Sequence, residues 1–167
     1  MLDIVSLQSR KIGSQILIQV DYEPPPKELS PYISVYYLFT TDEPCFEDIE
    51  RADIAQFRFV LEGDADIVFG DGHADTVHPA YIMGPRNKAS RVTVRGPGRV
   101  FGVGLLPAGW AAFTKLHADK HVNRLIDATT VFGDALLDVH ARLQKLTNVQ
   151  EMAAVMNAKS TPFYKCA

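Results

Sequence analysis

The histidines are the residues of this sequence that could most readily support metal chemistry. His73 and His78 lie five positions apart in a glycine-containing segment that also holds Asp71 and Asp75. Imidazole and carboxylate groups are common ligands of divalent metals. The segment has no His-x-His pair, however, and the next histidine, His117, follows only after the last predicted strand. We therefore expect a solvated turn here and no metal site.

The other chemically active residue types give no catalytic pattern. His117 and His121 are four positions apart, a spacing that places two side chains on one face of a continuous helix. No set of carboxylates or cysteines supports them, so we interpret both as surface histidines. The sequence also lacks a Gly-x-Ser-x-Gly nucleophile motif, a P-loop and a dinucleotide-binding glycine pattern. We predict that the protein is not an enzyme and needs no cofactor.

Composition indicates a globular protein that does not bind nucleic acid directly. Of its 167 residues, 47% are hydrophobic and 22% are charged, which are proportions of ordinary folded domains. The chain has 17 basic and 20 acidic residues, for a net charge of -3. Affinity for nucleic acids depends mainly on neutralising phosphates, so a DNA-binding module normally carries an excess of basic residues. This chain has no such excess.

The termini and cysteines indicate the cellular compartment. Cys45 and Cys166 lie far apart without a CxxC pattern, which favours neither a disulfide framework nor a zinc site. No apolar run approaches the roughly 20 residues needed to cross a bilayer. Near the N-terminus, Asp3 precedes the apolar residues and the basic residues follow them, the wrong order for a secretory signal. We expect a cytoplasmic protein with no membrane partner.

Hydrophobic periodicity changes near residue 107. Before that point, short segments alternate between apolar and polar residues and are separated by Gly, Pro, Asp and Asn, the pattern of an all-β sandwich or barrel. Seven strands are predicted, at residues 15–20, 32–39, 55–61, 65–69, 76–83, 90–95 and 100–106. Residues 62–64 and 96–98 have turn compositions, so each is expected to separate two strands.

The predicted strands enclose a bulky interior. In residues 55–61, Phe57 and Phe59 share one face while Gln56 and Arg58 share the other, and we assign the aromatic face to the interior. A small barrel either fills itself with side chains or holds one small ligand, and the sequence leaves both possibilities open. The candidate ligand-binding residues are Tyr37, Phe57, Phe59, His78, Tyr81 and Trp110. Hydroxyl and imidazole groups among them are expected to orient a ligand.

Helices are predicted after residue 107, the first at residues 107–113 and another at 119–126. A stronger pair follows residue 134. One apolar stripe repeats at steps of three and four residues, formed by Leu136, Val139, Leu143 and Leu146. Asn148 and Glu151 have the spacing of a capping box, which predicts that a second helix begins there. The two helices should form an antiparallel hairpin because their connection is short.

The apolar side of this hairpin must be buried. It can pack on the strands of its own chain or against the same helices of a second copy. In the second case the dimer interface contains Leu136, Val139, Leu143, Leu146 and Met152.

Several segments in succession resemble a known family. They are YISVYY at residues 32–37, IMGP at 82–85 and FGVGLLPAG at 101–109, followed by the Phe132-Gly133 break before an amphipathic helix. This order resembles the N-terminal domain of AraC-type bacterial transcription regulators. The resemblance implies a mostly β fold with C-terminal helices. Residues 1–106 would form a cupin-like or jelly-roll β-barrel of about seven strands, with residues 107–167 as a helical segment packed on it in one structural domain.

The resemblance also implies a function. Such a domain would sense a small-molecule effector, pair with a second copy, or do both, without catalysis. It would reach DNA only through a C-terminal helix-turn-helix region that this chain does not contain. The alternative is a stand-alone cupin-like protein that binds a small molecule, or a metal-dependent enzyme with unusual ligands at His73 and His78.

Overall fold

A computed structural model describes residues 11–12, 15–16 and 18–158 of the chain. Cys166 lies outside the described residues. The strands are β1 (Lys11–Ile12), β2 (Gln15–Ile16), β3 (Ile18–Glu23), β4 (Ile33–Thr41), β5 (Cys45–Glu50), β6 (Ala55–Phe69), β7 (Ala80–Met83), β8 (Ser90–Leu105) and β9 (Leu125–Asp127). The helices are α1 (Pro107–Gly109), α2 (Thr129–Phe132), α3 (Ala135–Gln144) and α4 (Val149–Asn157), with a π-helical turn at Trp110–Thr114 and a 3₁₀ turn at Ala118–His121.

The main sheet has seven antiparallel strands. Its order is β3-β4-β8-β6-β7-β9, and β5 pairs with β8 outside this path. Strand β8 organises the sheet, because along one edge it pairs with β6 for almost its whole length. Along its other edge, residues 98–105 pair with β4 and residues 90–95 pair with β5. The predicted mostly β fold with C-terminal helices is confirmed. The sheet does not close on itself, so a closed barrel is not confirmed.

Two predicted turns are wrong because the chain continues through them as strand. Residues 55–61 and 65–69 were expected to form a hairpin, yet both belong to β6 and both pair with β8. The turn-like residues between them remain part of the strand, and the pairing of β6 with β8 shifts its register on either side of Glu62. Residues 96–98 are likewise absorbed into β8. An extra residue in one strand bends it and increases its twist without ending it, and local composition does not distinguish such a bulge from a turn.

Apolar side chains pack on both faces of the sheet. The helix face lies against the C-terminal helices and carries Phe57, Phe59 and Phe101. The opposite face, here called the cavity face, carries a second apolar cluster that includes Phe39, Phe46, Val92 and Val94. Both sides of residues 32–39 are covered, since Tyr36 and Tyr37 are buried on opposite faces.

The C-terminal hairpin packs on its own sheet. Leu136, Val139, Leu143 and Met152 are at most 5% exposed and belong to the same apolar cluster as the helix face, and Leu146 is partly buried against it. These five residues were the candidates for a dimer interface. In the single chain, four of them are core residues. The predicted start of α4 is confirmed by the side chain of Asn148, which accepts a hydrogen bond from the backbone N–H of Glu151 at 2.9 Å.

The helix predicted at residues 119–126 is wrong. The chain forms only the 3₁₀ turn and then β9, which pairs with β7. Asn123 has a positive φ of 54°, which interrupts a helix, and its side-chain amide donates to Asn87 at 2.8 Å. His117 precedes the 3₁₀ turn and His121 ends it, so the two histidines do not share the face of a continuous helix. Within the described residues, no helix is long and apolar enough to cross a membrane.

Candidate functional site

A cavity of about 360 Å³ opens on the cavity face of the sheet. Its apolar wall comes from β3, β4, β5, β6 and β8 and consists of Val20, Phe39, Phe46, Ala65, Val92, Val94 and Val100. Its polar wall is formed by Tyr37, Glu50, Asp53, Gln56, Arg58, Tyr81 and Arg86. Its volume falls within the range of small-molecule pockets, which typically combine apolar walls with a few placed polar groups.

Three side chains form a closed triangle of hydrogen bonds at the polar wall. The hydroxyl of Tyr37 donates to Oε1 of Gln56 at 2.7 Å. Nε of Arg58 donates to both the Tyr37 hydroxyl, at 2.6 Å, and the same Gln56 oxygen, at 2.8 Å. Gln56 and Arg58 are neighbours on one face of β6, and all three side chains are buried. Their positions are therefore fixed before any ligand arrives.

Glu50, the last residue of β5, bridges two arginines. Its carboxylate lies 3.1 Å from Nη2 of Arg58 and also accepts from Nη1 of Arg86. Burial by itself raises the pKa of the Glu50 carboxyl, but the two guanidinium groups outweigh it and lower the pKa to about 2. Burial likewise opposes the charge of Arg58, and Glu50 outweighs it, so the pKa of Arg58 is raised. Glu50 and Arg58 therefore both stay ionised throughout the ordinary pH range.

Arg86 is held in the connection between β7 and β8 by its backbone. Its N–H donates to the carbonyl of Asp53 at 2.9 Å, and the N–H of Asp53 donates back at 3.2 Å. The guanidinium donates to the hydroxyl of Ser90 at 3.2 Å and lies 3.9 Å from the carboxylate of Asp53. Nε of Arg86 is buried and has no hydrogen-bond partner, one of two such side-chain atoms in the described part of the chain; Ser34 Oγ is the other.

Two tyrosines complete the polar wall. Burial raises the pKa of Tyr37 well above its usual value of 10.0, and the charge of Arg58 only partly opposes this. Burial also raises the pKa of Tyr81, again against Arg58. Both hydroxyls therefore stay protonated and can donate or accept hydrogen bonds.

Gly102 makes room for one of these tyrosines. It lies opposite Tyr37 in the pairing of β4 with β8, and a Cβ atom at this position would overlap the Tyr37 ring. The missing side chain allows a close approach. What approaches is the tyrosine ring rather than another backbone or a helix.

The structure separates the candidate ligand-binding residues into three groups. Tyr37 and Tyr81 line the cavity. Phe57, Phe59 and Trp110 pack in the apolar cluster on the helix face; Phe57 contacts Phe132 of α2 with ring centroids 5.3 Å apart. His78 lies outside the cavity lining, where its Nδ1 is 3.7 Å from a carboxylate oxygen of Asp127. Phe57 and Phe59 therefore do not line this cavity, and their role as ligand-binding residues stays a prediction.

The residues that sequence reasoning missed are Glu50, Gln56, Arg58 and Arg86. Gln56 and Arg58 were assigned to solvent because polar residues in an alternating strand usually face water. That rule presumes one solvated face, whereas both faces of this sheet are covered, one by the helices and the other by the apolar cluster of the cavity face. A usable signal was the continuous apolar character of residues 32–39, because a strand covered on both faces predicts that its neighbours are covered too.

The histidines expected to lie in a solvated turn have separate partners. Nε2 of His73 lies 2.6 Å from the carboxylate of Asp75, while His78 approaches Asp127. Within residues 18–158, no three His, Cys, Asp or Glu side chains are grouped in a way that would hold a metal ion.

The profile of a family described as a domain of unknown function (DUF6597) matches residues 22–127, which is more than half of the sequence. The chain belongs to the DUF6597 family. The matched region contains every cavity-lining residue except Val20. Helices α2, α3 and α4 follow it. The candidate site therefore lies within the DUF6597 region, while the helices that cover the sheet come after it.

Two solved structures are similar to this DUF6597 protein at low identity. The EutQ protein of Clostridium difficile has a TM-score of 0.35 and 20% identity, over 59% of this chain and 68% of EutQ. The AraC-like transcriptional activator CuxR has a TM-score of 0.45 and 10% identity, over 84% of this chain and 60% of CuxR. This chain thus spans less than two thirds of CuxR. No curated protein matches the sequence.

Proposed function

We propose that this domain binds a small-molecule effector in the cavity and serves as the non-catalytic sensing part of an AraC-type transcription regulator. The observation that carries the binding proposal is the buried polar wall, where Arg58, Glu50 and Arg86 form an ionic network beside an apolar space. Burying charges is costly unless they are paired and hydrogen-bonded. A network placed at the wall of a cavity, rather than inside a filled core, has the composition of a ligand site.

Strand β6 offers a physical connection between the cavity and the helices. Arg58 faces the cavity, and the adjacent Phe59 faces the helices with its ring centroid 6.4 Å from that of His140 in α3. Nε2 of His140 lies 2.7 Å from the carbonyl oxygen of Val60. A displacement of β6 by a ligand would therefore directly disturb its contacts with α3. Sensing also requires that the ligand bind one arrangement of these elements more tightly than another.

Pairing and DNA contact belong to the same proposal. The sequence resemblance to regulator N-terminal domains supports a homodimer whose DNA contacts are made by a separate helix-turn-helix region. Because the apolar stripe of the hairpin is buried in its own chain, a dimer interface would use other side chains. Sequencing the native reading frame beyond residue 167 tests the regulator assignment. Two helix-turn-helix patterns in a basic segment are expected there, and a stop codon at that point would favour a stand-alone binding protein.

A thermal-shift panel of small molecules tests the binding proposal. We expect at least one compound to raise the melting temperature of the wild type in proportion to ligand concentration. Ala65 lines the cavity and Val68 does not, although both belong to β6. Ala65→Phe should therefore abolish the shift, and Val68→Phe should retain it. Equal shifts in both variants, or no shift with any compound, would contradict the proposal.

A further inference from the structure

The cavity brings together two guanidinium groups and two carboxylates. Arg58 and Arg86 supply the positive charges, and Glu50 and Asp53 supply the negative charges. Farther along the lining, Asp48 and Arg51 add one charge of each sign. The formal charges of the lining thus cancel before any ligand binds, and ion pairs hold Arg58, Arg86, Glu50 and Asp53 in place.

Most hydrogen-bonding groups of the polar wall already have partners. Arg58 is bonded to Tyr37, Gln56 and Glu50. The amide nitrogen of Gln56 donates to Asp53 at 2.8 Å. The side chain of Arg86 is 2% exposed, and its Nε has neither an acceptor nor surface open to the cavity. The polar wall therefore offers a charged ligand few groups that are not already paired.

From this arrangement we infer that the cavity takes an uncharged small molecule with an apolar body. This inference rests on the proposed function and names the ligand class of the same site. The apolar wall opposite the arginines receives the body of the ligand. At roughly 30 Å³ per water, the cavity volume equals that of about a dozen waters, which limits the ligand to a small molecule.

A carboxylate ligand is disfavoured by the same geometry. At Nη2 of Arg58 or Nη1 of Arg86 it must displace Glu50, which already occupies both atoms. That displacement leaves the Glu50 carboxylate without its partners, and removing one partner of a buried ion pair is strongly unfavourable. A cationic ligand would have to compete with the arginines for Glu50 and Asp53. An uncharged ligand avoids both costs.

Three probes of nearly identical shape test the inference. Benzamide is neutral, benzoate is an anion and benzamidine is a cation. Titration of the intact protein, followed by NMR and calorimetry near pH 7, should give a dissociation constant for benzamide at least about tenfold lower than for either ion. Tighter binding of benzoate or benzamidine overturns the inference and leaves the proposed binding function standing. Binding of none of the three overturns the inference, and the proposed function fails only if the wider panel also gives no ligand.

A charge substitution provides a second test of the inference. Glu50→Gln removes one negative charge from the cavity and leaves the guanidinium groups in excess, so benzoate should gain at least about tenfold in affinity relative to benzamide. Glu47→Gln is the matched control, because it makes the same change on β5 at an exposed position outside the cavity lining. Asp53→Asn gives the same charge excess if Glu50→Gln does not fold. An unchanged ratio of affinities in a folded Glu50→Gln or Asp53→Asn protein overturns the inference.

Discussion

The Tyr37 ring lies over Gly102 of the neighbouring strand, in the space that a Cβ atom would occupy. This contact places the tyrosine hydroxyl where it bonds Gln56 and Arg58. The polar wall of the cavity therefore depends on an absent side chain in β8, the strand that also pairs with β5 and so positions Glu50, the partner of Arg58.

Gly102→Ala should destabilise the protein and weaken ligand binding. The added methyl group forces Tyr37 out of its position, and overpacking of this kind typically costs about 1–3 kcal/mol. Urea unfolding measures the loss. In a Tyr37→Ala background the same substitution should cost much less, because the ring it overlaps is gone. An equal cost in both backgrounds would show that the ring contact is not the cause.

Acid stability should depend on Glu50. The folded pKa of about 2 is lower than the usual 4.5, so the carboxylate contributes stability above pH 4.5 and loses it as pH falls toward 2. At about 1.4 kcal/mol per pKa unit, the contribution is about 3 kcal/mol at most. Unfolding free energies measured between pH 5 and pH 2.5 should fall more steeply for the wild type than for Glu50→Gln. Glu47 lies outside the ionic network, so the unfolding free energy of Glu47→Gln should change with pH as that of the wild type does. The same pH dependence in all three proteins would contradict the role assigned to Glu50.

Tyr37 should fail to ionise in the folded protein near pH 10. Its raised pKa means that the native state holds the phenolic proton more tightly than the unfolded chain does. Its contribution to stability is therefore present below pH 10 and is lost as pH rises above that value. In a spectrophotometric titration at 295 nm, folded wild type and Tyr37→Phe should show the same absorbance change between pH 9 and 10.5. In urea their absorbance changes should differ by the contribution of one tyrosine. A difference of that size between the folded proteins would disprove the prediction.

The apolar stripe of α3 should stabilise the single chain. Leu143 is fully buried, whereas Leu137 on the same helix is 47% exposed. Leu143→Ala should cost about 2–5 kcal/mol in unfolding free energy, and Leu137→Ala should change it by less than about 0.5 kcal/mol. Sedimentation of the folded Leu143→Ala protein should give the same mass as the wild type. A reduced mass with unchanged stability would instead place Leu143 in an interface between copies.

The sequence predicted the elements whose patterns are local. The N-cap at Asn148 and the apolar stripe of α3 follow from spacing within one helix, and both are observed. The interruptions in β6 and β8 were misinterpreted because Gly63, like the residues at 96–98, is typical of turns, and only the pairing partner shows that the strand continues.

The candidate site was harder to predict for a different reason. Its charged residues come from β5, β6 and the connection after β7, so their proximity is created by the order of strands in the sheet. Arg58 was assigned to solvent because its alternation with Phe57 and Phe59 is compatible with either face being buried. A period of two identifies which residues share a face, but it does not identify which face is covered.

Strand β5 pairs only with β8 among the described strands, so its other edge has no strand partner there. Such an edge can recruit a strand from another molecule and begin aggregation, and inward-pointing charges are one device that prevents it. Asp48 and Glu50 alternate along β5 toward the cavity. A carboxylate that serves the cavity in the folded monomer also makes this edge a poor template for a neighbouring chain. Selection for a more apolar cavity would therefore be opposed by selection for solubility.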